Sequence, residues 1–126
     1  MKMENPAWRF NGNERKYLEE VLSTGFRAGE DGAFTMRLEQ FFAKVYNAKY
    51  GISFNSGTTT LHSILLAMGC SEGDEILTPA LTPAMCGLAP YYTGATPVYV
   101  DSLPDTFLMD PEDIKRKITS KTKVIF

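Results

Sequence analysis

The stretch Phe54–Gly69, FNSGTTTLHSILLAMG, decides how the rest of the chain is read. It passes through small polar residues into a helix whose Leu61, Ile64, Leu65 and Met68 recur at helical spacing. Gly57 sits where the backbone has to turn tightly or approach a ligand closely, and Ser56 and Thr58 flank it with hydroxyls. The first turn of such a helix leaves N–H groups without internal partners and carries the positive end of the helix dipole. A phosphate suits that place. So does a plainer alternative, in which Ser56 or Thr58 only caps the helix.

Working outward, Glu75–Thr78 reads as a strand, Pro83–Tyr92 as a helix and Thr96–Asp101 as a second strand. Asp110 caps a helix with Pro111 at its first position and Glu112 and Asp113 in its first turn, ending near Ile118. Lys121–Phe126 opens another apolar strand. Upstream, Tyr50–Phe54 is a short strand candidate, and Thr35–Asn47 is a helix striped by Met36, Leu38, Phe41, Phe42, Val45 and Tyr46. Phe26–Phe34 is a loop with two glycines, and Asn13–Ser23 is a surface helix stopped by Gly25. Strands alternating with helices at this spacing predict an α/β fold of mostly parallel strands with crossover helices. A chain that closes on Val124, Ile125 and Phe126, apolar enough for a sheet interior, reads as a truncated part of a larger domain.

Composition narrows the function. The 126 residues carry a net charge of -2 and no basic stripe, which argues against a nucleic-acid partner. No apolar run approaches the roughly 20 residues that span a bilayer. The opening MKMENPAWRF has no apolar core of a secretory signal, so the cytoplasm is the expected compartment. Cys70 and Cys86 lack metal-ligand spacing and read as buried thiols, and no metal site is expected.

Three blocks then stand out in order: Ser56, Gly57, Thr58 and Leu61; Gly73, Asp74, Glu75, Ile76 and Pro79; and Gly94, Ala95, Pro97, Val98, Tyr99, Val100 and Asp101. Together with LEEVLSTGFRAG, RLEQFFAKVYNAKY and DTFLMDPEDIKRKITSKTKVI, they resemble the sugar aminotransferase family called DegT/DnrJ/EryC1/StrS, over nearly the whole chain. The resemblance implies the N-terminal part of the large domain of a fold-type-I enzyme using pyridoxal 5'-phosphate. Such enzymes move an amino group from an amino acid such as glutamate, through pyridoxamine phosphate, to a keto group of a nucleotide-linked sugar, and are expected to act as homodimers. It also implies that Gly57, Thr58 and Thr59, with Ser56, hold the cofactor phosphate. Phe26, Arg27 and Gly29 fall on the family's substrate-side turn, and read equally as an exposed loop.

The chain departs from the family pattern after Pro79, Ala80, Leu81 and Thr82. Relatives place an aromatic residue next, stacked on the cofactor ring, whereas Pro83 stands there and offers packing surface without an aromatic quadrupole. The Schiff-base lysine and the aspartate that pairs with the pyridinium nitrogen belong to family segments beyond those matched, so no catalytic residue is assigned in this chain. Asp101 closes a strand, Ser120–Lys123 reads as a solvated basic turn despite its S-x-x-K pattern, and His62 as a packing or subunit-contact residue. Two alternatives remain: a noncatalytic half-domain that pairs with another chain, and a sugar dehydratase relative using the same cofactor.

Overall fold

A computed structural model describes residues 12–25 and 33–126, and the chain divides into two compact units, Met1–Ser53 and Phe54–Phe126. In the first, α1 (Glu14–Ser23) ends at Gly25, whose φ of 65° is the left-handed stop glycine allows. α2 (Ala33–Val45) follows. Tyr17 meets Phe34 edge-on at 5.7 Å, and Arg37 pairs with Glu20. Residues 50–54, expected as a strand, pair with no other strand among the described residues. Their anchor is instead a side chain of α2: Ser53 donates its N–H (2.9 Å) and its hydroxyl (2.8 Å) to Glu39 Oε1. These two bonds, the backbone one foremost, hold the Glu39 carboxyl below its ordinary range. Gly51 lies so close to the Glu39 backbone that an added Cβ would collide with the Glu39 carbonyl oxygen.

The second unit carries α3 (Gly57–Ala67), β1 (Glu75–Pro79), α4 (Met85–Thr93), β2 (Thr96–Val100), α5 (Pro111–Lys117) and β3 (Thr122–Ile125). The strands form one parallel sheet in the order β2-β1-β3, the expected α/β architecture. Because β1 moves outward to β2 and the chain then returns past it to β3, right-handed crossovers put α4 and α5 on opposite faces. Central β1 is accordingly buried on both, with Ile76, Leu77 and Thr78 all inaccessible. Ile76 joins Leu65 of α3, Ala89 of α4, Cys70 and Ala95 in the core, with Val124 and Phe126 packed against it. Ile125, pointing the other way by strand alternation, is about half exposed.

Two junctions fix the ends of these elements. Asp110 Oδ1 accepts from the N–H of Glu112 at 2.9 Å, the cap expected before Pro111. Asp113, one residue further, faces inward and is almost wholly buried. Its carboxylate takes the N–H of Asp101 at 2.7 Å, Lys117 at 2.8 Å and Arg116 at 3.0 Å, so the end of β2 is bonded to α5. The Asp101 N–H and then the Lys117 ammonium hold the Asp113 carboxyl down to about 2.

Candidate functional site

Ser56 adopts an extended backbone (φ -159°, ψ 159°) and caps α3, its Oγ accepting from the N–H of Thr59 at 3.3 Å. The Thr59 hydroxyl donates within the same turn, to Asn55 Oδ1 at 2.9 Å and to the Ser56 carbonyl at 2.8 Å. Thr60 is likewise turned back on the Ser56 carbonyl, through its hydroxyl at 3.0 Å and its N–H at 3.2 Å. What remains open is the very start of the helix. Among the described residues, the N–H groups of Gly57 and Thr58 and the Thr58 hydroxyl have no protein partner. Four sequence-expected residues thus share one turn, but they divide: Ser56 and Thr59 build it, and Gly57 and Thr58 leave donors over.

A second helix end adjoins the first. A Cβ on Gly57 would stand 3.4 Å from Met85 Sδ, at the first position of α4, while further along His62 meets Tyr92 with ring centroids 5.6 Å apart. Contacts that advance together along both helices mean that α3 and α4 run parallel, with their N-termini side by side. Pro83 stands exposed in the turn ahead of α4, two residues before Met85, its carbonyl accepting from the Cys86 N–H at 3.0 Å. That turn follows β1 directly, and the start of α3 beside Met85 lies at the same, carboxyl end of this parallel strand, where α/β sheets take their ligands. The donor set fits the phosphate of the expected cofactor: two unpartnered amides and a hydroxyl at a helix start that adjoins a second helix start.

The remaining sequence candidates take other places. Phe26, Arg27 and Gly29 lie outside the described residues. His62 packs on Tyr92. Asp101 Oδ1 accepts from its neighbour Ser102 N–H at 2.8 Å, and Lys123 of the S-x-x-K run is held by Gly69 and Asp74. Cys70 is a core thiol, pushed up by burial, and neither it nor Cys86 is in a disulfide. Among the described residues there is no cluster that would hold a metal ion, and no helix long and apolar enough to cross a membrane.

Known proteins share this fold. The chain is 41% identical over 114 residues to the GDP-perosamine synthase of Escherichia coli O157:H7, with 90% of the chain and 31% of the relative covered. It superposes with a TM-score of 0.83 on an aminotransferase from Psychrobacter cryohalolentis, at 30% identity, covering 92% of this chain and 29% of that one. With NtdA from Bacillus subtilis, solved with bound cofactor PMP, the TM-score is 0.79 at 36% identity, covering 88% of this chain and 25% of that one. The chain spans about a third of the length of the curated relatives it matches. With an open helix start beyond the end of a parallel strand, and a match to the family's sequence profile over residues 9–126, the chain belongs to the DegT/DnrJ/EryC1/StrS aminotransferase family.

Proposed function

We propose that residues 1–126 form the N-terminal part of the large, pyridoxal 5'-phosphate-binding domain of an aminotransferase. Its acceptor is a nucleotide-linked keto sugar and its donor an amino acid such as glutamate. The enzyme works as a homodimer in the cytoplasm, in polysaccharide biosynthesis. One observation carries the reading: the unpartnered amides of Gly57 and Thr58 and the Thr58 hydroxyl, beside the start of a parallel helix. When bound, the cofactor supplies the electron sink for amino-group exchange.

The chain's own residues bind and orient. The amides of Gly57 and Thr58 and the Thr58 hydroxyl take the phosphate oxygens, and the absence of a Cβ at Gly57 lets the backbone come close. Ser56 and Thr59 keep that turn in shape through their mutual bonds. Pro83 offers an apolar surface on the same side, and Phe26, Arg27 and Gly29 serve the sugar. No residue of this chain is given the proton transfers.

Thr58→Val tests the assignment, since it removes the hydroxyl and keeps the branched shape. A hydrogen bond to a charged group contributes roughly 1.5–3 kcal/mol, and 1.4 kcal/mol is about tenfold in affinity. Cofactor affinity is expected to fall about ten- to a hundredfold. Melting and titration with pyridoxal 5'-phosphate are read on the same sample. Lowered stability with intact affinity would leave Thr58 as part of a helix start and nothing more.

A further inference from the structure

The two ends of α3 are held by different means, and the carboxyl end is the more elaborate. Gly69, with φ of 72°, closes the helix: its own N–H reaches the Leu66 carbonyl at 2.9 Å, and the Cys70 N–H reaches Leu65, also at 2.9 Å. Cys70 is sunk in the core, so this closing turn is fixed to the sheet.

A residue from the far strand completes the anchor. Along β1 and β3 the pairing runs Glu75 with Thr122 and then Ile76 with Val124, so Lys123 is the extra residue of a bulge. Bulges re-aim side chains, and this one sends the Lys123 ammonium to the Gly69 carbonyl at 2.6 Å and to Asp74 Oδ2 at 3.2 Å. Asp74 is itself tied to the Ser71 N–H at 2.9 Å, in the same connection between α3 and β1. A cation thus sits on the negative end of the helix whose positive end carries the open amides. α3 is eleven residues long, or about 16 Å at 1.5 Å per residue, so a tilt of about 5° about its carboxyl end moves the Gly57 and Thr58 amides by more than about 1 Å. Displacements of that size matter to a site that works by fixed geometry.

We propose that Lys123 is a positioning residue for the phosphate cradle: by clamping the carboxyl end of α3 to the bulge of β3, it sets where the amides of Gly57 and Thr58 point. The inference rests on the phosphate reading of those two residues. Lys123 touches neither cofactor nor substrate in this role.

Its test uses the holoenzyme and two probes, pyridoxal 5'-phosphate and pyridoxal, which lacks the phosphate. Lys123→Met is expected to weaken pyridoxal 5'-phosphate binding about three- to tenfold and to leave pyridoxal binding unchanged. Lys123→Arg, which keeps the cation, is expected to restore affinity, and Asp74→Asn to give an intermediate loss. Equal weakening of both probes means general loosening of the unit and overturns the proposal, as does unchanged phosphate-dependent affinity. Should Lys123→Met fail to fold, the same comparison of probes on Asp74→Asn decides. Thr58→Val, run alongside, separates the two ideas: an unaffected Thr58→Val removes the phosphate reading itself, whereas a weakened Thr58→Val with an unaffected Lys123→Met removes only the role of Lys123.

Discussion

Gly51 and Gly87 each lie against a neighbour closer than a Cβ allows, but the neighbours differ in kind. At Gly51 the obstacle is helix backbone, with the Glu39 carbonyl carbon at 3.0 Å and its Cα at 3.1 Å from the added atom, and backbone has nowhere to go. Gly51→Ala is therefore expected to cost about 1–3 kcal/mol, in the range of overpacked sites. At Gly87 the obstacle is the hydroxyl end of Tyr99, a side chain about half exposed and free to swing, so Gly87→Ala is expected to cost less. Urea unfolding of the two variants checks the ranking, and a larger loss at Gly87 would contradict it. The same scale explains what the sequence discloses. Gly57 and Thr58 are legible because a cap, a glycine and a helix start are neighbours in the chain. Glu39 and Lys123 are not, because their partners lie 14 and 54 residues away. The bulge that re-aims Lys123 leaves no mark in the run KTKVIF.

Among the elements, those whose signals are local appear within a residue or two of expectation. α5 is the clearest: Asp110, Pro111 and the acids after them specify its start, and Lys115, Arg116 and Lys117 suit its last turn. Asp110→Ala is expected to remove about 1 kcal/mol of stability, while Asp110→Asn keeps most of it. Equal melting of the two variants would mean that the bond to the Glu112 N–H contributes nothing. The segment 50–54 shows where local reading stops. Its alternation of apolar residues suits a strand, but a strand also needs a neighbour to bond with, and α2 supplies a carboxylate instead. Likewise Asp113 reads as one more first-turn acid, yet it is the buried carboxylate that bonds the end of β2 to α5.

Among the described residues, three carboxylates with lowered values contribute to the molecule's response to acid: Glu39 through Ser53, Asp74 through the Ser71 N–H and then Lys123, and Asp113 through Asp101 and then Lys117. A carboxyl held below its unfolded value stabilises the fold above that value, and the contribution is lost as pH falls through the folded one. The loss begins near 4.5 with Glu39 and near 3.8 with Asp74 and Asp113, and for Asp113 runs down to about 2. Stability is expected to hold from neutral pH to about 5 and then to decline steadily. In Asp113→Asn the low-pH limb should flatten, because that group no longer takes up a proton on unfolding. Denaturant midpoints measured from pH 7 to pH 2 give the answer, and an unchanged limb would show that Asp113 is not a source of the acid response.

The parallel run of α3 and α4 has a consequence for the unit as a mechanical object. Antiparallel neighbours cancel each other's fields, whereas two helices side by side in the same direction set like ends together and repel. The protein tolerates this mutual repulsion at the corner where Gly57 adjoins Met85. A negative guest reverses its sign, drawing both helix ends inward, and by linkage whatever binds only the folded state makes the whole unit harder to unfold. On the proposed phosphate reading the corner behaves as an arch awaiting its keystone: the group that filled it would also bear part of the structure's weight.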